Sequence, residues 1–111
     1  MTEITTHVLD TATGRPAGGL PVSLQREVSD GQWTEIGHAI TRSDGRAPGL
    51  SGEAGTGPRR HCLGFDTAIY HEEYAAFFGE VIVTFGVEPS DEHLHIPLLL
   101  SPYGYTVYKG S

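Results

Sequence analysis

Apolar and polar side chains alternate along most of this chain in short runs, the period-two pattern of half-buried β-strands. Ile4–Leu9 is the first such run, closed by a turn over Asp10–Gly14. Pro21–Val28 is the second, with Val22, Leu24 and Arg26 on one face, and Ser29-Asp30-Gly31 turns it back into Trp33–Thr41 as a hairpin. Arg59–Phe65, Glu80–Val87 (Val81, Val83 and Phe85 on one face), His93–Leu100 and Tyr103–Lys109 continue the series. The last two are joined at Ser101-Pro102. Ala47–Pro58 is dominated by small residues and reads as a mobile loop or a frayed edge strand. Only Thr67–Phe77 has a helical spacing, through Ile69, Tyr70, Tyr74 and Phe77, with Asp66 or Thr67 as cap. The pattern predicts an all-β sandwich or barrel of about eight strands and one short helix.

The length, 111 residues, fits a single domain over residues 1–111. A chain of this size buries roughly 65% of its unfolded surface and needs no staples. Net charge is −7, and the seven basic residues are scattered, which argues against a nucleic-acid partner. Cys62 is the only cysteine, so no intrachain disulfide forms; its place in a strand favours a packed small hydrophobe over a nucleophile. The N-terminal residues lack the basic and apolar regions of a signal peptide. No apolar run approaches the ~20 residues of a membrane span, so a cytoplasmic location is expected. The sequence stops at Ser111 without a loose polar tail, as expected of a terminus that is held down.

Candidate chemistry concentrates in few places. His93 and His95 point the same way on a strand, roughly 7 Å apart. They fit a metal pair, two solvated histidines or a general base, and no third ligand stands at metal-like spacing. His7 shares a face with Thr5 and Leu9, and spacing alone leaves a half-buried structural role open. Arg46 follows the turn Ser43-Asp44-Gly45 with no local acid beyond Asp44, and a surface role is open to it too. His38, His61 and His71 read as ordinary sheet, edge or helix-surface residues. The Tyr-rich strand carries large groups on both faces: Tyr103, Tyr105 and Val107 on one, Thr106 and Tyr108 on the other. Such a strand hints at a subunit interface. A carboxylate at Ser111 would need cationic partners if buried, and Arg46 or Lys109 are at hand. No nucleophile-elbow, Walker or Rossmann fingerprint is present.

Taken in order, several blocks together resemble the transthyretin-related 5-hydroxyisourate hydrolases. They are His7-Val8-Leu9-Asp10, Gly14-Arg15-Pro16-Ala17, Ser43-Asp44-Gly45-Arg46, Phe65-Asp66-Thr67, His93-Leu94-His95-Ile96-Pro97 with Leu98–Pro102, and Tyr103-Gly104-Tyr105 with Tyr108–Ser111. The resemblance spans essentially the whole chain, with Lys109 standing where the family carries Arg and Gly79 where it usually carries Pro. It implies a transthyretin-like (prealbumin-like) two-sheet sandwich and a homotetramer with active sites in a channel between dimers. It further implies hydrolysis of 5-hydroxyisourate to 2-oxo-4-hydroxy-4-carboxy-5-ureidoimidazoline in urate breakdown, without metal or organic cofactor. By motif position the catalytic residues are His7, Arg46, His95 and Ser111, with His7, Arg46, Tyr108 and Ser111 binding substrate and His93 in support. The rival expectation is a binding module, because transthyretin carries small aromatic ligands on the same fold. A metal-binding protein using His93 and His95 is a second.

Overall fold

The computed structural model describes residues 1–71 and 77–111. Eight strands form two four-stranded sheets. The first has the order β2 (Arg15–Pro16), β1 (Glu3–Asp10), β7 (His93–Ser101), β8 (Gly104–Val107). The second has β4 (Gln32–Ile40), β3 (Pro21–Ser29), β5 (Arg59–Phe65), β6 (Val81–Val87). All neighbours are antiparallel except β1 and β7, which run parallel from Glu3↔His93 to Asp10↔Leu100. The fold is therefore the transthyretin-like two-sheet sandwich that the strand pattern and the resemblance predict.

Alternation decides which side chains meet between the sheets. The even positions of β1 and β7, such as Ile4, Val8, Leu94, Ile96, Leu98 and Leu100, face Val22, Leu24, Leu63, Phe65 and Val81 of the second sheet. Thr6 lies among them because its hydroxyl donates to the Ile96 carbonyl at 2.6 Å, which removes the cost of burying it. The odd positions of β1 and β7 are left on the outer face.

The structure corrects four expectations. The eighth strand is the two-residue β2, set by the turn in which Gly14 N donates to the Asp10 carbonyl, and not part of Ala47–Pro58. That loop is pinned: Leu50 is in the core, Ile4 N donates to the Ser51 hydroxyl, and Thr2 pairs with Thr56. Gly37 permits this, since a Cβ there would lie 1.8 Å from the Leu50 carbonyl oxygen. The helix is a single turn, Thr67–Tyr70, capped by Asp66, whose carboxylate accepts from Ile69 N at 3.1 Å. Ile69 and Phe77 are exposed, so their spacing is no core stripe, while Tyr74 falls outside the described residues. His61 and His71 are buried, not edge or surface residues, whereas His38 is exposed beside Glu35. Cys62 is half-buried, and burial pushes its thiol pKa up, as suits a packed side chain.

His61 accounts for a pH dependence of folding. Its ring is held by the Thr56 hydroxyl and the Arg59 carbonyl, and burial pushes its pKa below the ordinary histidine value. The folded state thus favours neutral imidazole. Its stability contribution is whole above the unfolded pKa of about 6.5 and is lost as pH falls toward the lower folded value. Urea midpoints should drop between about pH 7.5 and about pH 5, and less steeply in His61→Gln. Equal slopes in the two proteins would remove His61 from this role.

Candidate active site

The outer face of the β1–β7 pair holds the histidines. Parallel pairing sets Thr5 beside His95 and His7 beside Pro97, and the odd-numbered side chains of both strands project the same way. The His93 and His95 rings lie 6.4 Å apart, as two-residue spacing predicts. The Thr5 hydroxyl sits 2.8 Å from His93 Nε2 and 2.8 Å from His95 Nδ1.

His7 is oriented by the turn that carries Arg46. Its Nε2 lies 2.7 Å from the Asp44 carbonyl oxygen. A carbonyl only accepts, so Nε2 carries the hydrogen and the lone pair of the neutral ring is on Nδ1. The turn packs against β1 through Val8 N donating to the Gly45 carbonyl, and Arg46 forms a bridge with His7. The Asp44 carboxylate accepts from Arg46 N at 3.0 Å, and its other oxygen meets Arg42 at 3.3 Å. The Arg46 amide, with the charges of Arg42 and Arg46, holds the Asp44 carboxyl below its ordinary pKa. The Arg46 guanidinium enters no ion pair among the described residues.

The C-terminal segment closes the other side. After Leu98↔Val107 the next pair would be Pro97 with Tyr108. Proline has no N–H to offer on that side, so β8 ends short of the expected Lys109. The chain returns to β7 where Gly110 N donates to the His95 carbonyl at 2.7 Å. A Cβ on Gly110 would lie 2.8 Å from His95 Cδ2, so only glycine fits this approach. Tyr108 and Ser111 thereby join His7 and His95 around one depression of about 240 Å³. Arg46 borders an adjoining depression of about 230 Å³ together with Thr5. Lys109 points elsewhere, into an apolar cleft of about 370 Å³ with Glu88 and Asp91. Among the described residues neither Arg46 nor Lys109 forms an ion pair with Ser111, which is exposed.

Electrostatically the site disfavours charge on His95. Burial lowers its pKa first, and the positive fields of Arg46, His93 and His7 lower it further. A neutral imidazole near neutral pH has a lone pair to offer, the property of a general base. Among the described residues no three His, Cys, Asp or Glu side chains gather as metal ligands do. Thr5 went unassigned in the sequence. Its one signal was a shared face with His7, and the partner across the strands was not readable.

A two-sheet sandwich bearing paired imidazoles on one sheet face defines a transthyretin-like protein. The chain belongs to the HIUase/Transthyretin family, whose model matches residues 4–110. It is 44% identical over 111 residues to the mouse 5-hydroxyisourate hydrolase, covering 97% of this chain and 94% of that one. The structure of Klebsiella pneumoniae 5-hydroxyisourate hydrolase matches with a TM-score of 0.86 at 31% identity and full coverage of both chains. Sea bream transthyretin in complex with thyroxine matches with a TM-score of 0.89 at 28% identity, over 96% of this chain and 93% of that one.

Gly45 tests how the turn holds the site. Its φ is +81° and an added Cβ would lie 2.3 Å from the Val8 carbonyl oxygen. Gly45→Ala should destabilise the protein by about 2–4 kcal/mol, from left-handed strain plus overpacking. Chemical denaturation of the variant checks this, and a loss below about 1 kcal/mol would mean that the turn adapts freely.

Proposed function

We propose that this protein hydrolyses 5-hydroxyisourate to 2-oxo-4-hydroxy-4-carboxy-5-ureidoimidazoline, a step of urate breakdown, by water attack on a cyclic amide. The observation that carries this is the single depression holding His7 and His95 with free ring nitrogens, in a chain 44% identical to a 5-hydroxyisourate hydrolase. Against the rival ligand-binding reading, two imidazoles, a phenol and a hydroxyl line the depression beside Leu9, Pro97 and Leu99.

The reaction sets three tasks. Water must lose a proton as its oxygen bonds to the ring carbonyl carbon, the carbonyl oxygen must be stabilised as charge grows on it, and the leaving nitrogen must gain a proton as the C–N bond breaks. His95 takes the water proton, because its surroundings keep it neutral. His7, with Nε2–H committed to Asp44, meets water or the ring through the Nδ1 lone pair and orients it by accepting a hydrogen bond there. Arg46 holds the developing oxyanion or the anionic ring. The Ser111 hydroxyl and Tyr108 position water and substrate at the rim. The same proposal has the chain working as a homotetramer. The unpaired edges of β6 and β8 and the exposed Ile82 and Tyr105 support further pairing.

Substrate generated in situ from urate by a urate oxidase, followed by ultraviolet absorbance, tests this. The protein should speed decay over buffer, and His7→Ala and His95→Ala should each lose at least about 10²-fold in kcat/KM. Because neutral His95 is the active form and burial lowers its pKa, the loss of activity that belongs to its protonation should fall below the ordinary histidine value of about 6.5 in a pH profile of kcat/KM. Decay no faster than buffer from folded protein would transfer the weight to ligand binding.

A further inference from the structure

The Thr5 hydroxyl lies at hydrogen-bonding distance from both histidines of the His93–His95 pair, 2.8 Å from each. A hydroxyl has one hydrogen and lone pairs to accept with. If Thr5 gives its hydrogen to Nε2 of a neutral His93, it has none for His95. His95 Nδ1 must then be the N–H that donates to Thr5, and its lone pair stands on Nε2. If His93 is protonated, its Nε2 becomes a donor and the Thr5 hydrogen turns to His95 Nδ1. The hydrogen of neutral His95 is then on Nε2, where it can be given but not taken.

We propose that His93, acting through the Thr5 hydroxyl, is the proton partner of His95, so that the three groups form a relay that sets whether His95 is base or acid. Thr5 and His93 are positioning residues here, since neither is placed against substrate. The relay rests on the hydrolytic reading above and gives it an order of events. His95 Nε2 takes a proton from attacking water. The Nδ1 proton passes to Thr5 as the Thr5 proton passes to His93 Nε2. Positive charge then sits on His93, and His95 is neutral with its hydrogen on Nε2, aimed at the leaving nitrogen. Delivery of that hydrogen is matched by the reverse shift, which restores the starting state with no net gain or loss of protons.

Charge favours this direction. His95 is half-buried and faces Arg46, His7 and His93, all cationic or able to be. His93 is exposed at the strand start, and the Glu3 carboxylate lies 4.0 Å from its Nε2. Parking the proton there moves it away from Arg46 and beside the one carboxylate on this face of β1. The register makes the arrangement possible, since Glu3 pairs with His93 and Thr5 with His95.

The test uses Thr5→Val, which keeps the β-branched shape and removes the hydroxyl, Thr5→Ser, which restores it, and His93→Ala. Nitrogen-15 NMR of the ring reads the His95 tautomer directly, without any substrate. Wild type should show hydrogen on Nδ1 of neutral His95 while His93 is neutral, and on Nε2 once His93 is protonated. Thr5→Val should show a tautomer mixture insensitive to His93. In the hydrolase assay Thr5→Val and His93→Ala should lose at least about tenfold in kcat with KM little changed, and Thr5→Ser should recover most of it. Wild-type kcat and an unmoved His95 tautomer in Thr5→Val would overturn the relay. A relay seen by NMR in a protein that does not speed 5-hydroxyisourate decay would overturn the proposed function and leave the relay standing.

Discussion

The parallel register of β1 with β7 is the constraint on which both the core and the site depend. It joins residues about as far apart as the chain allows, and its period of two does two jobs at once. Even positions bury Ile4, Val8, Leu94 and Leu98, while odd positions lift His7, Thr5, His93 and His95 onto the outer face. A slip of one residue would turn every side chain over and exchange core for site. Burial of the apolar set, at about 25 cal/mol per Å² of surface removed from water, therefore fixes the positions of groups that contribute little to stability themselves.

The second organising feature is how hydrogen bonds assign protons. The Asp44 carbonyl commits His7 Nε2 to carry hydrogen, and the Thr5 hydroxyl ties His95 to His93. Three histidines and Arg46 crowd one sheet face of a chain whose net charge is −7. The local field, not the overall balance, decides protonation there, because charges separated by more than about a Debye length of 8–10 Å are screened. Glycines at positions 45 and 110 let backbone approach the two rings closely enough for this wiring: a Cβ would strike the Val8 carbonyl in the first case and the His95 ring in the second.

Much of this was legible in the residues. Alternation located seven strands and the turns at Asp10–Gly14 and Ser43–Gly45, because those signals are local. The hydrophobic spacing after Asp66 misled, since Ile69 and Phe77 are exposed and a short helix needs no apolar stripe. Ala47–Pro58 looked loose because small residues have no period, yet Leu50 alone is enough to pin it once Gly37 leaves room. His7, His95, Tyr108 and Ser111, which come from separate blocks of the family resemblance, meet in one depression with Arg46 beside it. What spacing could not yield was Thr5, because its role depends on which strand lies next to it, a long-range fact. The early end of β8 was readable in principle from Pro97, but only once β7 and β8 were known to pair.

The claim most open to direct test is that the outer face of the β1–β7 pair receives the substrate. A crystal structure of the protein with a non-hydrolysable purine-ring analogue of 5-hydroxyisourate measures this. The account predicts the ring between His7 Nδ1 and His95 Nε2, with a ring oxygen toward Arg46 and Ser111 at the rim. The ring seated instead in the apolar cleft lined by Val83, Phe85 and Lys109, with both histidines untouched, would contradict it.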